Sequence, residues 1–514
     1  MKIFEDKDWL AVAKPSGMAT HAGGPGELGA TEWLDLHLGL KAHVVSRLDR
    51  GTSGVLLLAR HAAAAAQAQE IHESGRAVKV YEFYSAADAQ GGGPGESWTR
   101  NDTLDGKQAV TSFQRLAATP RDDLFLFRAE ITHGRRHQIR RHAAASGVPV
   151  LGDEEYGGAP FARLMLHCAE VRWPGIEEPL RAKNPASFEA LAAGGDPGLA
   201  VCRDRRGSWP QAVSDAFRIV HRDEIPGLPA AIEIYGGWFN AIWFDETSTP
   251  EKLDRVLLPV LEEITEAFGL KGGVIRTHRR NPHQRTLVTE TRVLGGEPPD
   301  VFTVSEHGLK YEISLTRTQH TGLFLDQRDT RRRVTLTAAG RRLANLFAYT
   351  CSFSVVAVAA EAEVVFSVDT ARAGLNTGKA NFQRNGLAES GRGKFIQEDA
   401  RKWLNRQERR LDEKPQEFRP LDLVICDPPV FASARDGGKF LLEEEWPRLA
   451  KQTGRLLGTG GVAVFANNHR TGDHAFYRRA LEENFREVTD LRPPLDFPVF
   501  PRRPHHVRTF WCVK

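Results

Sequence analysis

The chain is poor in cysteine and contains no long apolar run. Among its 514 residues there are five cysteines, Cys168, Cys202, Cys351, Cys426 and Cys512, scattered and without a Cys-x-x-Cys pair. That excludes a disulfide framework and a cysteine zinc site, and it fits a reduced, cytoplasmic protein. No stretch has the length of apolar residues that spans a bilayer, and Met1-Lys2-Ile3-Phe4-Glu5-Asp6 lacks the basic-then-apolar form of a signal peptide. No membrane partner is expected. A large excess of one charge is also missing, since a net +3 is too small to mark a nucleic-acid binder by itself. What remains is ordinary globular composition, 41% hydrophobic and 26% charged, with length for about three domains. Positive charge is gathered locally: Arg135, Arg136, Arg140 and Arg141; Arg328 to Arg333; and Arg502, Arg503 and Arg508. Each cluster reads as a solvated face or an RNA-binding patch.

The most informative stretch is Ser46-Arg47-Leu48-Asp49-Arg50-Gly51-Thr52-Ser53-Gly54, which runs into the apolar strand Val55-Leu56-Leu57-Leu58-Ala59. A carboxylate flanked by two guanidiniums stays ionised, and a turn of small residues lets another backbone come close. From spacing alone this is either a surface turn capping a buried strand or a reactive carboxylate. Ile3–Asp6 and Trp9–Ala13 read as short strands before a Pro-Ser-Gly turn, His61–Ser74 as an alanine-rich helix closed by Gly75, and Lys79–Tyr84 as an alternating strand. In His133-Gly134-Arg135-Arg136-His137-Gln138-Ile139-Arg140-Arg141-His142 two histidines stand four apart, but no acid or cysteine accompanies them, so no metal is expected.

Arg47 to Gly54 resembles the Arg-Leu-Asp-x-x-Thr-Ser-Gly signature of the RluA family of RNA pseudouridine synthases, with Ser46 where that family usually has histidine. Lys79-Val80-Tyr81, Gly134–Arg140, Gly147–Asp153 with Tyr156-Gly157, and Arg163–Ala169 resemble its further motifs in the family's order. The resemblance implies an α+β domain on a mixed, mainly antiparallel sheet, here residues 1–190, that isomerises uridine to pseudouridine without a cofactor. It makes Asp49 the essential carboxylate, as nucleophile on the sugar or base at it, with Tyr81 on the base and Arg140 paired with Asp49. Arg47, Arg50 and His137 are candidate RNA contacts.

Ala192-Ala193-Gly194-Gly195-Asp196-Pro197-Gly198 is the best candidate break. Beyond it, residues 205–315 read as a small α+β module with a one-faced helix over Pro250–Phe268, either a scaffold or an RNA contact. From residue 316 to 514 strands and helices alternate, as in an α/β Rossmann-like sheet. Asp369, Asp399 and Asp427 close successive strands, where such folds collect ligands.

That order resembles class I S-adenosylmethionine-dependent methyltransferases. Thr321–Arg328, Val304–Leu315 and Phe465-Ala466-Asn467-Asn468-His469-Arg470 resemble segments of RlmI and RlmK, which act on large-subunit 23S ribosomal RNA. The resemblance implies S-adenosylmethionine as cofactor, with Phe324, Arg328, Phe347, Tyr349, Thr350, Ser352, Asp369, Asp399 and Asp427 around it. Cys351 stands where that family has glycine, which predicts a tighter approach and weakened binding or lost activity. Asp427, Pro428, Phe431 and Asn467 are the candidate base contacts. A cytosine-C5 enzyme needs a cysteine thiolate, and Cys426 reads as a buried small residue, so guanine N7 is preferred because its lone pair needs no base. The expected partner is RNA, 23S ribosomal RNA or an assembling large subunit, with no obligatory protein partner. A cytosine-C5 enzyme, a transfer-RNA synthase fusion, or an assembly protein with one inactive half are the competing readings.

Overall fold

The computed structural model describes residues 1–88, 95–118, 120–121, 123–280, 287–318, 320–433, 439–469, 472–500 and 507–514. Arg470, Arg502 and Arg503 lie outside the described residues. The chain divides into two compact units, one of Met1–Gly23, Leu28–Ala212 and Arg222–Pro229, the other of Gly24–Glu27, Val213–His221 and Ala230–Lys514.

In the first unit the fully buried strand Ser53–Ala59 organises a ten-stranded sheet. Its path runs Lys2–Glu5, Trp9–Lys14, Ser53–Ala59, Leu166–Arg172, Val78–Ser85, Phe125–Ile131, Lys107–Ala118 and Ser97–Leu104. The pairing of Ser53–Ala59 with Leu166–Arg172 is parallel and the other pairings are antiparallel. A mixed, mainly antiparallel sheet is the expected class. The alanine-rich helix spans Ala62–Glu73; His61 caps it by accepting the Ala64 N–H at 3.2 Å. That bond satisfies one of the donors left open at a helix start.

The glycine-rich segment 192–198, expected to be a break, is a turn between two helices, Ala186–Ala192 and Gly198–Arg206. The first unit continues through both to Ala212. The break signal came from residues suited to a tight turn, and a tight turn serves equally inside a unit.

The second unit holds the five-stranded sheet of the middle module and the alternating region together. In the smaller sheet, Trp238–Trp243 and Gly272–Arg280 run parallel, joined by the helix Pro250–Phe268. The larger sheet is ordered Gly393–Gln397, Val364–Asp369, Arg342–Leu346, Leu421–Cys426, Leu457–Asn467, Arg508–Val513 and Glu487–Leu491. Its first five strands are parallel and its last two antiparallel to their neighbours. Alternate residues serve opposite faces, as a strand requires. Leu343, Leu423 and Ile425 pack into one core, Ala344, Leu346, Val424 and Cys426 into the other. The strand order reverses between Arg342–Leu346 and Leu421–Cys426, so the ligand crevice of such a sheet opens at their carboxyl ends.

Gly54 has φ +118°, and an added Cβ would lie 2.1 Å from the Cys168 carbonyl oxygen. Gly54→Ala is therefore expected to destabilise the first unit by about 3 kcal/mol or more. Thermal unfolding should show its transition lowered and that of the second unit unmoved.

Candidate active sites in the two units

The Asp49 turn leads into the central strand, with the Thr52 N–H donating to the Asp49 carbonyl at 3.0 Å. The charges that reach its half-buried carboxylate come from another part of the chain. Arg140 Nη1 lies 3.6 Å from Oδ2 and His137 Nε2 3.8 Å from Oδ1. Arg140 is aimed there by Asp153, a buried carboxylate that accepts from Nε at 2.7 Å and from Nη2 at 2.6 Å. Glu155 accepts from Nη2 at 2.9 Å, and the guanidinium lies 4.9 Å from the Tyr156 ring centre. Burial disfavours the Arg140 cation, but these carboxylates outweigh it and raise its pKa. His137 is in the left-handed region at φ 52°, and its Nδ1 is 3.0 Å from the Tyr156 hydroxyl. Arg47 and Arg50, neighbours of Asp49 in sequence, are exposed.

Tyr81 is buried, opposite Cys168 in the strand register. Burial pushes its phenol well above the ordinary value, and Cys168 and Asp49 add to the shift. Tyr81, Asp49, Arg140 and His137 are thus brought together. The sequence analysis missed Lys14, which is buried and donates through Nζ to the carbonyls of Pro15 (3.1 Å), Met18 (2.6 Å) and Arg50 (3.4 Å). Burial, with the Arg163 charge second, lowers its pKa to about 7, and Asp49 opposes the shift. A lysine before Pro-Ser-Gly at the end of an apolar strand was the available signal.

In the second unit, the loop after Arg342–Leu346 holds three non-glycine residues in the left-handed region, Phe347 (φ 57°), Tyr349 (φ 47°) and Cys351 (φ 61°). Each costs roughly 1–2 kcal/mol, and such strain persists only where the surroundings impose it. The Tyr349 N–H donates to Asp369 Oδ2 at 2.8 Å, Thr350 Oγ1 to the Gly322 carbonyl at 2.6 Å, and Asn381 Nδ2 to the Thr350 carbonyl at 3.1 Å. Ser352 opens the following helix.

The expectation that Cys351 crowds the cofactor side is corrected by its direction. Its thiol is buried among Ala348, Leu375 and Phe395. An added Cβ on Gly378 would lie 2.5 Å from Cys351 Sγ, and one on Gly374 2.9 Å from the Tyr349 carbonyl oxygen. Two glycines one helical turn apart on Arg372–Arg384 thus make room for the loop. A Gly-x-x-x-Gly spacing on a helix was the missed signal.

Asp369 also accepts the Ala371 N–H at 2.7 Å. Asp399 caps the helix Ala400–Glu413 by accepting the Arg401 N–H at 2.8 Å, and pairs with the Arg401 side chain at 2.7 Å. Phe324 is 39% exposed, with its ring 5.5 Å from Tyr349. Arg328 is a correction. It is buried, donating to Asp496 at 2.7 and 3.1 Å and to the Ala216 carbonyl at 2.8 Å. Arg331 is likewise buried against Glu306, at 2.7 Å. These two arginines frame the unit, because a guanidinium removed from water must spend its donors on partners.

Asp427 and Pro428 follow the Leu421–Cys426 strand at the crevice. Burial, then the Asp326 charge, pushes the Asp427 carboxyl up to about 7. Phe431 is 55% exposed, on a short hairpin with Lys439–Leu441. Asn467 ends the adjacent strand, 1% exposed; its Oδ1 accepts the His469 N–H at 3.3 Å, and its Nδ2 has no partner among the described residues. Cys426 is fully buried and its thiol is pushed well above the usual range, by burial first and the Asp427 charge second.

Residues 8–145 match the RNA pseudouridylate synthase family. Residues 234–500, more than half of the chain, match the S-adenosylmethionine-dependent methyltransferase family. The chain belongs to the S-adenosylmethionine-dependent methyltransferases and carries a pseudouridine synthase domain before the methyltransferase region. Among curated relatives of this methyltransferase, ribosomal RNA large subunit methyltransferase K of Neisseria meningitidis is 33% identical over 260 residues, 50% of this chain and 70% of that protein. Methyltransferase K/L of Pseudomonas putida is 31% identical over 291 residues, 55% of this chain; the chain spans only 38% of that protein. A solved methyltransferase complexed with SAH shares the fold at 20% identity and a TM-score of 0.53, covering 73% of this chain and 98% of that one.

Two measurements test this geometry. Gly378→Ala is expected to destabilise the second unit by about 1–3 kcal/mol, with most of the loss absent in a Cys351→Gly background; additive losses would contradict the packing. The second concerns Asp427, whose unfolded pKa is about 3.9. Between there and about 7 the folded chain holds more protons than the unfolded one. Its contribution therefore falls as pH rises through that window and levels off above it. Asp427→Asn should gain melting temperature over wild type as pH rises from about 4 to 7, and a constant difference would refute the assignment.

Proposed function

We propose that this chain is a bifunctional enzyme of large-subunit ribosomal RNA, isomerising a uridine in its first unit and methylating a guanine at N7 in its second. In the first reaction the C1′–N1 bond breaks, the base turns, C1′ bonds to C5, and the C5 proton is lost as N1 gains one, so nothing is consumed. Asp49 is the essential carboxylate, as nucleophile at the sugar or base toward it. Arg140 orients it, and Tyr81 packs on the base or passes a proton. Arg47 and Arg50 are suited to RNA phosphates, since they are exposed cations beside the turn, and His137 offers a polar ring beside them. The target nucleotide must be turned out of any helix to reach this carboxylate.

In the second unit the strained loop and the strand-end acids suit S-adenosylmethionine. Phe347, Tyr349, Thr350 and Ser352 would hold its methionine part, with Phe324 alongside. Asp369 is offered to the ribose hydroxyls and Asp399 to the adenine. When bound, that cofactor supplies an electrophilic methyl group. The observation that carries guanine is Asn467. Its oxygen is taken by a backbone N–H, and its buried amide nitrogen is a donor without a partner among the described residues, of the kind that suits the O6 acceptor of guanine. Asp427 and the Pro428 carbonyl are suited to the guanine amino edge, and Phe431 to stacking on the base. Guanine N7 has a lone pair and no proton, so alignment suffices. A cytosine-C5 reaction requires a thiolate, and burial keeps Cys426 protonated.

The relatives named for large-subunit ribosomal RNA support the substrate class. Nucleoside mass spectrometry of ribosomal RNA, from cells with and without the gene, tests the proposal. Complementation with Asp49→Ala should lose one pseudouridine and keep one 7-methylguanosine, and Asp427→Ala the reverse, each by about a thousandfold in rate. Loss of a 5-methylcytosine instead would overturn the guanine assignment, and unchanged modification in both variants the substrate.

A further inference from the structure

Helix Gly198–Arg206 lies beyond the stretch that matches the synthase family, residues 8–145. It nevertheless sends a carboxylate to Arg163, which in turn reaches Ser53 where the Asp49 turn enters the strand. Asp204 accepts from Arg163 Nη1 at 2.7 Å, and the two side chains are 3% and 1% exposed. The Ser187 hydroxyl and its N–H, the latter at 3.2 Å, also donate to Asp204 Oδ2. With one edge fixed, Arg163 offers Nη2 to Ser53 Oγ at 2.8 Å, while its Nε donates to the Leu164 carbonyl at 3.1 Å. Ser53 Oγ is 3.0 Å from His167 Nδ1. Burial, then the Arg163 charge, lowers the His167 pKa to about 3, so the imidazole is neutral and shares a hydrogen bond with the serine hydroxyl.

Ser53 is four residues from Asp49, on the strand whose start is pressed on its neighbours. An added Cβ on Gly51 would lie 2.9 Å from Leu164 Cβ, and one on Gly54 would strike the Cys168 backbone. The turn has no slack, so the position of Arg163 is passed to it. Arg163 cannot be left without its counter-charge, because a buried guanidinium is stable only when paired, and Lys14 is a second buried cation within electrostatic range.

We propose that Asp204 is a positioning residue of the synthase centre, acting through Arg163 and Ser53 to set the Asp49 turn. The segment 186–206 is then part of that centre rather than a connection after it. The inference rests on the synthase function proposed above.

The test uses the full chain, a transcript of large-subunit ribosomal RNA tritiated at uridine C5, and tritium release as the readout, with methyl transfer by the same preparation as control. Ser53→Ala and Asp204→Asn are each expected to lower kcat for tritium release about tenfold or more, with KM within about twofold and methyl transfer unchanged. The double variant should be no slower than the slower single, since both break one chain of contacts. Wild-type kcat in Ser53→Ala, or losses that multiply in the double variant, would overturn the inference. If Asp204→Asn loses the first thermal transition, Ser53→Ala decides alone by the same criterion. A wild-type chain that releases no tritium would sink the synthase function and this inference with it, a result distinct from active wild type with unaffected variants.

Discussion

Much of the first unit's chemistry depends on where one guanidinium is allowed to point. Arg140 is held along one edge by the buried Asp153 and on a corner by Glu155, which leaves Nη1 beside Asp49. A charge removed from water needs such partners, and the partners also fix its direction. The carboxylate is therefore met by a cation that cannot swing away, which a flexible surface arginine next to it in sequence would not provide. Lys14 supports the same turn from beneath by tying three carbonyls together.

The second unit relies on a different constraint, backbone strain held in place by packing. Three left-handed residues in five could not persist in an isolated loop. They persist here because Asp369, Gly322 and Asn381 each bind the loop through a hydrogen bond, and because Gly374 and Gly378 let a helix come close enough to back it. The cysteine in place of a loop glycine is accommodated on the helix side, at a position where the helix itself has no side chain. One departure from the pattern is matched by the space opposite it.

Both units use buried arginine–carboxylate pairs to connect distant segments: Arg163 with Asp204 in the first, Arg328 with Asp496 and Arg331 with Glu306 in the second. Runs of arginine are thus not one kind of feature. Arg135 and Arg136 remain at the surface, while Arg328 and Arg331 form the frame of their unit.

Sequence alone determined the classes of the two folds and the helix over Pro250–Phe268, and family resemblance singled out Asp49, Tyr81 and Arg140 as candidates. These follow from local pattern: alternation marks a strand, an acid after an apolar strand marks a crevice, and motif order is read along the chain. What only tertiary structure decided were partnerships across long separations. Asp153 and Glu155 steer Arg140, Arg328 turns to Asp496, Gly378 receives Cys351, and Asp204 pairs with Arg163 from a segment that resembled a linker. A glycine-rich turn has the same composition whether it joins two domains or two packed helices. A buried charge finds its partner through space, and no periodicity along the chain records which one it finds.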